Sequence, residues 1–330
     1  MEATTEQLNN KRIAKNTIAL YFRTIVTMAI SLFTSRIVLD ALGVDDFGIY
    51  NVVGGVVTMF SVISGALSSS ISRFLTFQLG KNYDVDKLRK IFSTGVNIQI
   101  GISCLVLILG EVVGLWFLNY KMNIPVERVY AANWVLQCAL LTFIIGLISV
   151  PYNAAIIAHE KMTAFAYIGI LEVSLKLAVA YLLYVLLMDK LIVYSILLVC
   201  VSAIIRLTYG IYCRRKFNEA RYQWVYDPSL MKEMTGFAGW NFFTNGAYIF
   251  NTQGVNILIN LFFGVGINAA RGVANQVEMA IKKFVFDFTT AINPQIIKNY
   301  ASGNYEFMYK LICRGSKFSY LLMLCLSIPF

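Results

Sequence analysis

Apolar runs long enough to cross a bilayer alternate along this chain with short polar connections. About 20 apolar residues are needed to cross a hydrocarbon core roughly 30 Å thick. On that measure spans are predicted at 14–39, 46–79, 88–119, 129–158, 164–188, 190–213, 233–262, 268–297 and from 311 onward, nine in all. Several exceed the minimum and must tilt or project beyond the lipid. The first follows the polar stretch "MEATTEQLNNKRIAK" and has no small-residue cleavage site behind it, so it reads as a retained helix rather than a signal peptide. The ninth, "KFSYLLMLCLSIPF", stays apolar to Phe330 with no polar flank, and the sequence is therefore expected to be a piece of a longer protein.

The connections alternate in charge. "NNKRIAK", "GKNYDVDKLRK", "AHEKM", "CRRKFNEARYQWVYDPSLMKEM" and "KNYASGNYEFMYK" hold nearly all the connecting lysines and arginines. "DALGVDDFG", "NYKMNIPVER", "MDK" and "FFGVGIN" hold few. Positive charge is retained on the cytoplasmic side, which puts the amino terminus and every even connection there.

Composition agrees: 58% of residues are hydrophobic and 14% charged, against about 45–50% and 25% for a soluble domain. The net charge of +10 is largely the basic connections, so nucleic-acid binding is not needed to account for it. Six scattered cysteines without a CxxC pair indicate neither disulfides nor a metal site. His159 lies in the connection "AHEKM" and is expected to be solvated. No nucleophile–base set, phosphate-binding glycine loop or zinc spacing is visible, so neither an enzyme nor a cofactor is suggested.

Two regions read alike. "DALGVDDFGIYNVVGGV" resembles "NLFFGVGINAARGVANQV", and "GKNYDVDKLRKIFSTG" resembles "SGNYEFMYKLICRG", at an offset of about 221 residues. Six spans fit inside that offset, so the copies point the same way through the bilayer, the plan of a parallel repeat. The predicted architecture is all-α: one six-helix lobe over 1–221 and the start of a second over 222–330.

The polar residues within spans fall on faces. At about 100° per residue, Asn268, Arg271, Asn275, Glu278 and Lys282 share an arc of roughly 80°, flanked by Lys283 and Asp287. The opposite side, with Val273, Val277, Ile281, Phe284 and Phe288, is apolar. A charge facing lipid at mid-membrane costs at least about 2.5–3.5 kcal/mol, so these groups need an interior or a watery cavity. Internal pairing of Arg271 or Lys282 with Glu278 is one alternative. A helix lying flat on the membrane is another, but it breaks the charge alternation. The first span aligns Asn16, Arg23, Thr27, Ser31 and Thr34; the seventh aligns Asn241, Asn245, Tyr248, Thr252 and Asn256. In the second, Ser61, Ser64, Ser68 and Ser72 form a row equally suited to close helix packing. A cavity between two lobes, richer in bases than acids, suits an anionic, hydroxyl-rich guest.

With its basic amino terminus, "SRIVLDALGVDDFGIYNVVGGVVTMFSVISGALSSSISRFLTFQLGK" resembles the bacterial polysaccharide-biosynthesis transporters, the Wzx-type oligosaccharide flippases. Their superfamily includes the multidrug extruders and the lipid II flippases. The resemblance implies two six-helix bundles in a V and a multi-pass protein of the bacterial inner membrane. It implies transfer of a polyprenyl-pyrophosphate-linked oligosaccharide between leaflets by alternating access, through a cationic cavity walled by the first, second, seventh and eighth helices. Carried onto this chain, it makes Arg23, Arg271 and the Lys282/Lys283 pair candidates for the pyrophosphate. Asn245, Asn256 and Asn275 are added as polar lining, and Glu278 as the acid that couples to a sodium ion or proton. Polysaccharide assembly proteins are expected partners, and the chain is read as a monomer. A multidrug exporter, a lipid II flippase and a non-transporting assembly scaffold are the rival readings.

Overall fold

The computed structural model describes residues 2–58, 60–81, 83–122, 124–185 and 188–328. Side chains are described for the same residues except 2–8, 56, 58, 62, 248–254, 256, 257, 259–261, 263–270, 272, 273, 276 and 277. The described backbone is helical almost throughout and contains no strand.

Helix α1 runs over Glu2–Thr58 and α2 over Ser61–Lys81. Helix α3, Val85–Leu109, continues through one π-helical turn at Gly110–Gly114 into α4, Leu115–Tyr120. Then follow α5 (Val129–Ala158), α6 (Met162–Leu182), α7 (Lys190–Lys216), α8 (Pro228–Ala301) and α9 (Tyr305–Ser327). Five stretches among the described residues are long and apolar enough to cross a membrane: Asn9–Gly55, Val85–Tyr120, Val126–Ala158, Met162–Leu182 and Lys190–Lys216.

Helix starts follow local chemistry. Asp84, Asp189, Asp227 and Asn304 each accept hydrogen bonds from backbone N–H groups of the first turn that follows, in α3, α7, α8 and α9. Those groups have no partner inside the helix, which is why Asp and Asn are favoured there. Pro228 directly follows Asp227, where the missing N–H costs nothing.

Two long helices depart from the expected one-helix-per-span layout. In α1 the first connection, "DALGVDDFG", is absorbed into helical backbone except at Gly43 (φ 79°, ψ 169°), a conformation essentially restricted to glycine. The chain bends there, and its second limb forms a separate apolar core with α3, α4, α5 and α7, centred on Ile49, Val53, Val106 and Leu136.

The expected connection at 262–267 is likewise helical, inside the 74-residue α8. It holds two glycines but no proline, and each glycine costs a helix only about 1 kcal/mol. Yet α8 cannot be straight. Ser70 of α2 donates to the Met234 carbonyl at 2.8 Å, while Gly80 of α2 packs directly on the backbone of Lys298. Met234 and Lys298 would stand about 96 Å apart on a straight helix, whereas Ser70 and Gly80 are about 15 Å apart. The element therefore folds back between Asn245 and Lys283, and its two limbs share α2 as a neighbour.

The principal core gathers α2, α3, α5, α6 and α7 around Ile71, Leu75, Leu88, Phe92, Ile156 and Leu183, each nearly solvent-free. At one end, Arg128 ties Asp46 of α1 to Asp189, the cap of α7. At the other, Glu160 (φ 58°), between α5 and α6, binds Lys298 and Gln295 of α8. Beside it His159 pairs with the buried Glu219 and stacks on Phe217, ring centres 4.1 Å apart. His159 is thus packed rather than solvated, because the 217–227 connection folds over it.

Candidate functional site

Helices α1, α2, α5, α6 and both limbs of α8 enclose a cavity of about 770 Å³, well within the range of ligand pockets. Helix α2 supplies Gly65, Ser68, Ser69, Ser72, Arg73 and Thr76. Their spacing of three, one, three, one and three keeps all six on one face, so "GALSSSISRFLT" builds a hydroxyl-rich wall. From α8 the first limb offers Phe237, Asn241 and Asn245, and the second Lys283, Asp287, Thr289, Thr290 and Asn293.

Three cations face this space, each held differently. The Arg23 guanidinium lies over the Phe165 ring at 4.4 Å, and that of Arg73 over Phe237 at 4.2 Å. Among the described residues neither forms an ion pair. Stacking on a ring face fixes a guanidinium in place while leaving its N–H groups for another partner. Lys283 is 3.3 Å from Asp287, whose other oxygen accepts from Thr24 of α1. Asp287 is only 3% exposed and is the one carboxylate among the cavity's described lining residues. Arg23 also lines a smaller cavity of about 240 Å³ inside the α5–α6–α7 group, beside Asn153, Glu172 and Tyr209. There Glu172 is neutralised by Lys176 at 2.6 Å.

Of the residues singled out from sequence, the structure brings Arg23, Asn245 and Lys283 to one cavity. Glu278 and Lys282 instead pair with each other, each about half exposed, and neither is among the lining residues. Arg271 and Asn275 are half-buried and also off the lining; among the described residues the Arg271 Nε is buried without a hydrogen-bond partner. The Asn256 side chain lies outside the described residues. Arg73 was not singled out. The signal for it was the serine row itself, since Ser68, Ser72 and Arg73 share the cavity face while Ser61 lines a different pocket.

No curated protein matches the chain in sequence. Among solved structures, the chain resembles an outward-facing multidrug resistance MATE family transporter of the MOP superfamily, with a TM-score of 0.80 at 12% identity. That match covers 97% of this chain and 72% of the other. A MATE transporter in the bent conformation superposes with a TM-score of 0.81 at 11% identity, covering 97% and 72%. A MOP superfamily transporter from Pyrococcus furiosus, whose binding pocket is described as of reverse polarity, gives 0.75 at 12% identity over 95% and 70%. At these identities the likeness shows the fold alone, and the five long apolar helices are those of a multi-pass membrane protein. The family model for polysaccharide biosynthesis proteins matches residues 13–300, and the chain belongs to that family of membrane transporters.

Proposed function

We propose that this transporter moves a polyprenyl-pyrophosphate-linked oligosaccharide from the cytoplasmic to the outer leaflet of a bacterial inner membrane by alternating access. The observation that carries the reading is the sign of the cavity: among its described lining residues, Arg23, Arg73 and Lys283 stand against Asp287 alone, itself engaged by Thr24. Desolvating a pyrophosphate is costly unless cations and donors meet it, and two ring-stacked guanidiniums present such donors. The serines and threonines of α2, with the amides of α8, suit the hydroxyls of sugars. The lipid tail needs no site, because it stays in the bilayer while the head crosses. In this reading residues 1–221 form one lobe and the residues from 222 onward belong to the second, so α1 and α8 meet across the lobe interface at Thr24 and Asp287. An exporter of organic cations would need accessible carboxylates, and the described lining offers none that is not already paired.

The test is reconstitution into vesicles with a fluorescent short-chain polyprenyl-pyrophosphate saccharide, following label crossing between leaflets. Protein-dependent crossing that collapses in Arg23→Gln/Arg73→Gln supports the proposal. Uptake of lipophilic cations without lipid crossing gives the case to a multidrug exporter. Crossing that ignores the substitutions removes the anion site.

A further inference from the structure

The connection between α7 and α8, residues 217–227, is the longest non-helical stretch among the described residues, and its inner edge is fastened to α3. Arg89 donates to the Asn218 carbonyl at 3.4 Å, and the Gln223 N–H donates to Ser93 Oγ at 3.1 Å. Asn97 donates to the Val225 carbonyl at 3.0 Å and accepts from the Tyr222 hydroxyl at 2.8 Å. Arg89, Ser93 and Asn97 are each four residues apart, so the strap climbs a single face of α3 by about 12 Å.

The outer edge is unlike the inner one. Trp224 is 82% and Tyr226 71% exposed. Arg214, Arg215, Lys216 and Arg221 are all exposed as well. The only acid within 214–226 is Glu219, which is turned inward, paired with His159 and 1% exposed. The outward face therefore carries four positive charges and no compensating carboxylate.

Neighbouring helices fix the level of this face. On α7 the exposed apolar residues Ile204, Leu207 and Ile211 run straight into Arg214. On α3 the exposed apolar run opens with Ile100, just past the Asn97 tie. On α8 it opens with Trp240 and Phe243, beyond the Asp227 cap. The strap thus sits where the lipid-facing band gives way to water. Trp and Tyr concentrate at that level, and clustered basic residues there attract anionic headgroups.

We propose that residues 214–226 form a docking surface for anionic lipid headgroups. Trp224 and Tyr226 sit in the interfacial layer, and Arg214, Arg215, Lys216 and Arg221 meet the headgroup phosphates. The surface is independent of what the central cavity carries. An acidic segment of a soluble protein would match the charge, but not the two bare aromatics at the edge of the apolar band.

The chain has four tryptophans, so Trp224 emission is obtained as the difference between the wild type and Trp224→Phe. Both are placed in nanodiscs containing either brominated phosphatidylglycerol or brominated phosphatidylcholine, at equal bromine content. Trp224 should be quenched at least about three-fold more by the anionic lipid, and R214Q/R215Q/K216Q/R221Q should abolish the preference. Raising the salt should weaken it too. Equal quenching by the two lipids would overturn the anionic preference. Absence of quenching by either would overturn membrane contact and assign the face to a soluble partner.

Discussion

The guanidinium of Arg73 lies 4.2 Å from the centre of the Phe237 ring, joining α2 to the first limb of α8 at the wall of the central cavity. Arg23 and Phe165 repeat the arrangement between α1 and α6. In each case a ring face, rather than a carboxylate, holds the cation, so its charge stays available to a guest.

Arg73→Gln should therefore lower lipid-crossing rate by about 10-fold or more, the loss of a charge-assisted contact of roughly 1.5–3 kcal/mol. Phe237→Leu removes only the platform and should cost about 2- to 5-fold, from a stacking term near 0.5–1 kcal/mol. Arg73→Lys should fall between wild type and Arg73→Gln, since an ammonium keeps the charge but not the planar fork. Initial rates in the vesicle assay check all three.

Two glycines should fail for different reasons. Gly43 has open space around it but a glycine-only backbone conformation, so Gly43→Ala should cost about 1–3 kcal/mol through strain alone. At Gly80 the backbone conformation is ordinary, but an added Cβ would stand 2.6 Å from the Lys298 Cα and carbonyl oxygen. Gly80→Ala should therefore force α2 and α8 apart, at a cost of roughly 1–3 kcal/mol. Chemical unfolding in detergent measures both, and cross-linking between α2 and α8 should change only in the second.

The pairing of His159 with Glu219 sets a pH dependence. Burial by itself would raise the Glu219 carboxyl. The hydrogen bond from His159, a backbone N–H, and the charges of His159 and Arg89 outweigh it and hold the group below its ordinary 4.5. A carboxyl lowered in the folded state stabilises fully above 4.5, and loses that contribution as pH falls through the lower folded value. Glu219→Gln should thus destabilise by about 2 kcal/mol at neutral pH, with the difference from wild type vanishing under acid. Unfolding midpoints of the two proteins across pH 3 to 7 provide the check, by roughly equal steps.

Glu160 links the α5–α6 connection to Lys298 and Gln295 at the end of α8. Glu160→Ala should release that end. The loss of a charge-assisted contact of roughly 1.5–3 kcal/mol shifts the balance between conformations by about 10-fold or more. A cysteine placed at Ser72, on the cavity wall, should then react correspondingly faster with a maleimide applied from the Glu160 end.

Much of the helix layout was legible because lipid contact imposes length and polarity directly. The fourth predicted span coincides with α5, and the sixth, 190–213, with all but the last turn of α7. The cavity was legible as faces but not as edges. One residue on a helix is a turn of about 100°, so sequence alone cannot say whether Lys282 or Lys283 closes the polar arc. The structure places Lys283 on the cavity because Asp287, one turn on, is anchored to Thr24, a contact 263 residues away in sequence. Arg73 escaped for a related reason. Its serine neighbours fit close helix packing equally well, and only the position of Phe237 distinguishes a wall from a seam.

The contact between Gly80 and Lys298 has a geometric consequence. With no α2 side chain between them there, the close backbone contact would serve as a pivot, and a tilt of α2 about it would carry the first limb of α8 along through the Ser70–Met234 bond. Helix α2 extends about 30 Å from that point. A tilt of about 10° around it would carry the far end of α2 roughly 5 Å, with Arg73 moving little and Gly65 moving most. The cations would stay in register with their guest while the mouth of the cavity changes width.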